Sequence, residues 1–173
     1  MADRIRLTTA AERDALARIA ADHTAGLTDD DLVALRYDRW LGAFTRGVAA
    51  HHAGLLPVFK EAVEVAFAAG LVKVVFATET LALGINMPAR TVVIEKLVKY
   101  NGEAHADVTP GEYTQLTGRA GRRGIDVEGH AVVCWANGLD PRAVAGLASR
   151  RTYPLRSAFR PTYNMAVNLV ATV

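Results

Sequence analysis

The sequence feature that most constrains the fold is an alternation between short β-branched, apolar runs and longer segments of helical period. Three runs are compact enough to be strands, at residues 72–77, 91–95 and 131–135, and residues 47–51 predict a further short strand. Apolar runs of this length are typical of strands that a parallel sheet buries on both faces. Because helical segments separate the runs, the pattern predicts an α/β fold with parallel strands.

Two helices are predicted before the first of these strands. Thr9 and Glu12 have the spacing of a capping box, and apolar residues then recur at helical spacing until Gly26. Thr28 and Asp31 form a weaker version of the same start signal. The second helix is predicted to carry one broad apolar face, which we interpret as core and which consists of Leu32, Val33, Leu35, Tyr37, Trp40, Leu41 and Phe44.

Three later helices have recognisable starts. Pro57 begins a helix that ends near Gly70, since proline is favoured in the first helical turn. Residues 109–112 combine a capping box with proline at the first helical position, so they predict a short helix. Residues 140–141 start a small one.

Length and composition limit the class of protein. The 173 residues, 51% hydrophobic and 22% charged, fit one globular domain. With a net charge of +2, contact with an acidic polymer has to come from local clusters of basic residues. A single cysteine, Cys134, excludes an internal disulfide and fits a reducing compartment. No run approaches the ~20 apolar residues of a membrane span, and the first residues lack a secretory signal, so a cytoplasmic location is expected.

Residues 115–124, the glycine–arginine segment, carry the strongest chemical signal. Three arginines and three glycines occupy six of the seven positions from 118 to 124. Glycine disfavours a helix and lets backbone approach a ligand, while guanidinium groups pair with phosphate oxygens two at a time. Arg119 and Arg122 are three residues apart, which would place both on one face of a helical turn together with Gln115. The segment predicts a phosphate site; a solvated basic turn is the alternative.

A second segment, residues 76–88, follows the strand predicted at residues 72–77. Ligands of open α/β sheets bind beyond the carboxyl ends of strands, so a site is expected here. Thr78, Thr80 and backbone N–H groups are suited to nucleic-acid phosphates. An ordinary connection between a strand and a helix, capped by Thr78, is the alternative.

The adjacent residues His51 and His52 are candidates for metal ligands. Successive side chains of a strand point to opposite faces, so the two cannot easily hold one ion. No Cys-x-x-Cys or His-x-x-x-His pattern accompanies them. Metal binding is therefore not predicted, and packing or nucleic-acid contact is favoured.

Three segments together resemble motifs of superfamily-2 helicases. Residues 51–57 resemble motif IVa, residues 77–90 motif V and residues 115–124 motif VI, in the versions found in superkiller-type (Ski-like) DExH-box RNA helicases. Within that family the sequence is similar to the actinobacterial type. The order of the three motifs is that of the family, and the resemblance is most specific from about residue 46 to residue 133.

The resemblance implies a fold and a domain organisation. The expected fold is a RecA-like parallel-sheet sandwich, the second motor domain of such a helicase. Residues 46–149 would form its core, residues 1–45 a helical insertion and residues 150–173 the start of a linker toward a winged-helix domain. The strand that carries motif IV would precede residue 1 and lie inside the sheet. Truncation there would expose strand edges and apolar surface.

The resemblance also implies roles for single residues. Motif VI faces ATP held by the first motor domain, so Arg119 and Arg122 would be arginine fingers and Gln115 would position phosphate or the attacking water. The nucleotide site is further expected to involve Gly84, Asn86, Gly118 and Gly121. Contacts with nucleic acid are expected from Thr78, Thr80, His52 and Arg90.

A hairpin is predicted at residues 99–103, because Asn101 and Gly102 both tolerate positive φ. The resemblance identifies it with the strand-separating pin of related helicases. A hairpin without that role is the alternative.

Two motifs of a complete motor are absent from the sequence: the phosphate loop Gly-x-x-x-x-Gly-Lys-Ser/Thr and the motif Asp-Glu-x-His. ATP and Mg²⁺ are therefore expected to be held mainly by the first motor domain, and the chain alone is predicted to be inactive. The expected partners are RNA, with DNA left open, and the first RecA-like and winged-helix domains. A stand-alone RNA-binding or regulatory module and a protein-interaction domain are the alternative functions.

Overall fold

A computed structural model of the chain describes residues 5–78, 87–100 and 104–149. In these ranges helices and strands follow one another in the predicted order. The helices are α1 (Ala10–Thr24), α2 (Asp29–Ala34), α3 (Tyr37–Thr45), α4 (Pro57–Ala68), α5 (Pro110–Thr117) and α6 (Pro141–Ser149). The strands are β1 (Val48–His51), β2 (Val74–Ala77), β3 (Thr91–Ile94), β4 (Val98–Tyr100), β5 (His105–Asp107) and β6 (His130–Val133). No helix in the described ranges is long and apolar enough to cross a membrane.

The predicted capping boxes are confirmed at three helix starts. At α1 the Thr9 hydroxyl accepts the Glu12 N–H at 3.3 Å, and the Glu12 carboxylate accepts the Thr9 N–H at 2.7 Å. The same reciprocal pair of bonds begins α2 and α5. Each pair satisfies backbone donors that a helix start otherwise leaves without an acceptor.

The single helix predicted from Thr28 through Phe44 is wrong, because the chain breaks at Arg36 into α2 and α3. Arg36 has a φ of 54°, in the left-handed region that non-glycine residues seldom adopt. The turn lets the rings of Tyr37 and Trp40 stack at 5.8 Å, while Val33 remains 79% exposed. Aromatic packing in the tertiary structure therefore divides the apolar face that local periodicity predicts as continuous.

The described strands form three separate pairs. β1 and β2 are parallel, with Val48 opposite Val74, and β3 and β6 are also parallel. β4 and β5 are antiparallel, which confirms the strands of the predicted hairpin. Its turn residues Asn101 and Gly102 lie outside the described residues. Parallel pairing of the apolar runs is confirmed.

The prediction that the apolar runs are buried on both faces is wrong for much of their length. Phe76 of β2 is 64% exposed, Val93 of β3 is 61% exposed and Val132 of β6 is 46% exposed. Within the described residues β2 pairs with β1, β3 pairs with β6, and β2 and β3 do not pair with each other. Apolar side chains therefore remain along open strand edges.

Two hydrophobic clusters hold the described parts together. The larger joins α1, α3, α4 and the β1–β2 pair around Leu16, Phe44 and Val63. The smaller contains Ile94, Val108 and Tyr113. Met87 belongs to the larger cluster and lies just before the backbone bridge between Ala89 and Ala120. The chain that carries the candidate site thus runs from one cluster toward the other.

Candidate functional site

The glycine–arginine segment leaves α5 after Thr117 and continues as irregular backbone. Gln115 is an exposed residue of α5, whereas Arg119 and Arg122 follow the helix. The prediction that both arginines share one face of a helical turn is therefore wrong. The physical reason is a bridge to another segment: the Ala89 N–H donates to the Arg119 carbonyl at 2.9 Å, and the Gly121 N–H donates to the Ala89 carbonyl at 2.7 Å. These bonds draw the backbone out of the helical path.

The glycines of this segment are required by close backbone packing. Gly121 has a φ of +90°, and a Cβ on Gly129 would lie 2.5 Å from the Gly121 nitrogen. A Cβ on Gly118 would lie 2.8 Å from the Thr114 carbonyl oxygen. Side chains at Gly118 and Gly129 would therefore collide with backbone, and one at Gly121 would strain it. Their predicted contact with nucleotide stays a prediction beside this structural use.

Arg122 is held by a bidentate ion pair with Asp126. Its Nε donates to Oδ2 at 2.8 Å and its Nη2 donates to Oδ1 at 2.7 Å. The Arg122 side chain is 40% exposed, whereas that of Asp126 is 8% exposed. Hydrogen bonds from Arg122 hold the pKa of the Asp126 carboxyl at about 2, and the charge of Arg90 contributes to that shift. Arg90, predicted to contact nucleic acid, thus lies close enough to the glycine–arginine segment to act on its charges.

His51 and His52 lie in different environments at the end of β1. His51 is 3% exposed, and its Nε2 lies 2.9 Å from Oε1 of Glu64 on α4, whereas His52 is exposed. Both histidines line a cavity of about 380 Å³ together with Lys60 and Glu64. The described residues contain no group of three side chains suited to a metal ion. His51 therefore links β1 to α4, and His52 is the member of the pair that can reach a ligand.

His52 and Thr78 lie at the same edge of the β1–β2 pair. His51 is opposite Ala77 in the parallel register, so the next residue of each strand leaves the pair at the same end. The Thr78 N–H donates to the His51 carbonyl at 3.3 Å, and Thr78 is exposed. Two residues predicted to contact nucleic acid are thus neighbours. The other predicted residues of this loop, Thr80, Gly84 and Asn86, lie outside the described residues.

The hairpin is attached to the helix that leads into the glycine–arginine segment. Lys99 of β4 donates through Nζ to the Glu112 carboxylate in the first turn of α5. Glu112 also closes the capping box with Thr109. One carboxylate therefore fixes both the start of α5 and the position of the hairpin beside it.

Two residues of the site escape sequence reasoning. Asp126 lies four residues after Arg122, which is the spacing of a common ion pair, but glycines around these residues remove the helix on which that spacing is usually interpreted. Glu64 lies on a helix face, and its contact with His51 depends on the packing of α4 against β1. The spacing of Asp126 from Arg122 was therefore a weak signal in the sequence, whereas nothing in the sequence indicated the contact of Glu64 with His51.

Comparison with known protein families shows to which family this chain belongs. The model of the helicase conserved C-terminal domain matches residues 32–124, which include β1, β2, the hairpin and the glycine–arginine segment. This chain belongs to the helicase C-terminal domain family. The predicted resemblance to helicases is confirmed, and an α/β fold of the RecA-like class follows from membership of the family.

Individual helicases are similar over most of this helicase domain. The probable helicase HelY of Mycobacterium tuberculosis (strain ATCC 25618 / H37Rv) is 65% identical over 167 residues, which are 96% of this chain and 18% of the relative. The human exosome RNA helicase MTR4 is 43% identical over 144 residues, which are 83% of this chain and 14% of the relative. The DExH-box ATP-dependent RNA helicase DExH9 of Arabidopsis thaliana is 40% identical over 157 residues, 91% of this chain and 16% of the relative. The domain therefore spans less than a fifth of the length of these relatives.

Proposed function

We propose that this chain is the second motor domain of an ATP-dependent RNA helicase and that it supplies arginine side chains to an ATP site held mainly by another domain. The observation that carries this proposal is the half-exposed Arg122 guanidinium, fixed by Asp126 next to the backbone bridge in the segment that the helicase model matches. Arginine donors that face transferring phosphoryl groups stabilise the charge of the transition state.

The residues present fit a triphosphate in charge. Arg90 and Arg122 both act on Asp126, so at least two guanidinium groups lie at this point of the surface. Arg119 and Gln115 belong to the same segment, and their roles as finger and water-positioning residue remain part of the proposal. Bound ATP with Mg²⁺ would supply the phosphoanhydride bond that is hydrolysed. The described carboxylate beside the segment, Asp126, is engaged by Arg122, so the Mg²⁺ ligands are expected from the first motor domain.

Nucleic acid is proposed to bind at the edge formed by the ends of β1 and β2. His52 and Thr78 are exposed neighbours there, and Thr80 follows two residues later in the sequence. Backbone contacts of this kind position a strand without reading its bases. RNA is favoured as the substrate because MTR4 and DExH9 are both described as RNA helicases.

The two parallel pairs are proposed to be halves of one RecA-like sheet. Among the residues that the structure describes, β2 and β3 each have one edge without a partner strand, and Phe76 and Val93 on these strands are exposed. A parallel strand between them, supplied by the longer protein, would pair with both edges and cover these side chains. The core from residue 46 to residue 149, the insertion before it, the linker after it and the cytoplasmic location stay predictions.

The decisive experiment is RNA-stimulated ATP hydrolysis by this chain, alone and mixed with a separately prepared first motor domain. We expect activity only in the mixture, because the chain lacks the phosphate loop. In the mixture, Arg122→Ala is expected to lower turnover by about 10³-fold or more, whereas Arg18→Ala, an exposed arginine of α1, leaves it unchanged. ATP hydrolysis by the chain alone would refute the proposal that another domain holds most of the ATP site. RNA binding that neither ATP nor the first motor domain alters would instead support a stand-alone RNA-binding module.

A further inference from the structure

The ion pair between Arg122 and Asp126 leaves one side of the guanidinium group available. Arginine has five N–H groups, and Asp126 accepts from Nε and from one N–H of Nη2. Both N–H groups of Nη1 and the second one of Nη2 have no partner among the described residues. The Asp126 carboxylate thus binds one side of the Arg122 guanidinium group. The N–H groups on the other side can donate to a second oxyanion.

Backbone hydrogen bonds fix the carboxylate itself. The Arg122 N–H donates to Asp126 Oδ2 at 3.0 Å. The Asp126 N–H donates back to the Arg122 carbonyl at 2.9 Å, and the Ile125 N–H donates to the same carbonyl at 3.0 Å. Residues 122–126 therefore form a loop that is closed by hydrogen bonds between its first and last residues. The Asp126 side chain is only 8% exposed and is fixed by this loop. Its ion pair therefore removes much of the conformational freedom of the long, half-exposed Arg122 side chain.

We propose that Asp126 is a positioning residue, which holds the guanidinium group of Arg122 in the orientation that receives a phosphate oxygen. This inference rests on the proposed function of Arg122 and adds the residue that makes it effective. A pre-oriented donor costs no reorganisation when charge develops, and misplacement of a catalytic group by about 1 Å can lower a rate about 10²-fold. Asp126 touches Arg122 and is not itself required to touch nucleotide.

Two other roles for Asp126 predict different results when it is replaced by asparagine. In the Asp126→Asn variant, the amide oxygen would still accept the Arg122 backbone N–H, but the second acceptor and the negative charge would be lost. If Asp126 only closes the loop, turnover is preserved. If it withholds Arg122 from the nucleotide, turnover rises. If it positions Arg122, turnover falls.

The test uses the full-length parent helicase, with RNA-stimulated ATP hydrolysis as the measurement. We expect Asp126→Asn to lower kcat about 10- to 100-fold with KM for ATP changed by less than about 3-fold. Asp126→Glu, which keeps the charge and both acceptors, should recover part of the loss. Asp31→Asn is the matched control, because Asp31 also accepts a backbone N–H but does so at the start of α2. Unchanged or raised kcat in Asp126→Asn would overturn the inference.

A double variant distinguishes action through Arg122 from an independent role. Once Arg122→Ala has removed the guanidinium group, adding Asp126→Asn should lower kcat no further. A further loss equal to that of the single Asp126→Asn variant would overturn the inference. If Arg122→Ala alone turns over ATP normally, the proposed function of Arg122 fails and the inference fails with it. Low activity of Arg122→Ala beside normal activity of Asp126→Asn would remove only the inference.

The ion pair can also be observed without activity. In the 173-residue chain, the Arg122 Nε–H signal in ¹⁵N NMR should be protected from solvent exchange and should lose that protection in Asp126→Asn. The Arg18 signal, from an exposed arginine of α1, provides the reference within the same spectrum. Equal exchange at Arg122 in both proteins would contradict the ion pair.

Discussion

At the scale of single residues, two carboxylates each combine a local backbone contact with an ion pair. Glu12 closes the capping box of α1 and also accepts from Lys73 Nζ at 2.7 Å, across 61 residues. Asp126 combines a backbone contact with the grip on Arg122. In Glu12 one oxygen serves the capping box and the other binds Lys73. In Asp126 both oxygens bind the Arg122 guanidinium group, and Oδ2 also accepts the Arg122 backbone N–H.

Glu12 predicts a measurable dependence of stability on pH. The hydrogen bond from Lys73, followed by those from Thr9, lowers the pKa of Glu12 from 4.5 to about 2. Because the folded-state pKa is the lower one, the stabilisation is fully present above pH ~4.5 and is lost as the pH falls toward 2. Glu12→Gln should therefore lower Tm at pH 7, and the difference from the unsubstituted chain should shrink as the pH approaches 2.

Thermal unfolding followed by circular dichroism between pH 2 and pH 7 provides this measurement. Asp22→Asn removes a charge from an exposed position of the same helix and serves as the control. A Tm difference for Glu12→Gln that stays constant over the range would contradict the assignment of the pKa shift to the contacts of Glu12.

At the scale of elements, the junction between α2 and α3 decides how the N-terminal helices cover the β1–β2 pair. Arg36 adopts left-handed backbone there, and Trp40 then packs between the rings of Phe44 and Phe59, at centroid distances of 4.7 and 4.6 Å. The strain at one residue is offset by aromatic contacts that the bend permits.

Relief of this strain should stabilise the domain. Left-handed backbone costs a non-glycine residue about 1–2 kcal/mol, and glycine loses about 0.5–1 kcal/mol through its greater freedom in the unfolded chain. Arg36→Gly should therefore raise the free energy of unfolding by about 0.5 kcal/mol. Arg39→Gly, at the third residue of α3, should lower it by up to about 1 kcal/mol. Urea unfolding of the two variants measures both values, and destabilisation by Arg36→Gly would refute the account.

At the scale of the whole molecule, the notable feature is that β2 and β3 each pair with only one neighbouring strand among the described residues. Phe76, Val93 and Val132 are all about half exposed or more, and each lies on a strand that has one partner strand within the described part of the chain. Strand edges without a partner are templates for pairing with another chain. The domain is consequently expected to behave differently alone and within the longer protein.

The isolated chain should self-associate through these edges. Sedimentation velocity at increasing concentration should show growing oligomers, and the double variant Phe76→Lys with Val93→Lys should reduce them, since lysine on an edge opposes pairing. Val33→Lys is the control, because Val33 is 79% exposed on α2 and lies away from the strands. A monomer at all concentrations, or equal association in all variants, would contradict this interpretation.

The sequence by itself determined the local starts and the motifs. Capping boxes at Thr9, Thr28 and Thr109 are made by residues three apart, so they need no distant partner, and the structure contains all three. The alternation of apolar runs with helical segments identified the α/β class, because this pattern too can be recognised from neighbouring residues alone. The three motifs identified the helicase family because their residue types and spacing are specific enough without a structure.

Only the tertiary structure decided how these parts meet. The break at Arg36, the bridge between Ala89 and Ala120 and the contact of Glu64 with His51 all depend on packing that local spacing does not encode. The burial of the strands was predicted wrongly. A β-branched run shows that its residues favour a pleated, half-buried surface, whereas the exposure of a strand depends on which elements pack beside it. Local hydrogen bonding is a property of a few consecutive residues, but packing and charge pairing are properties of the folded chain.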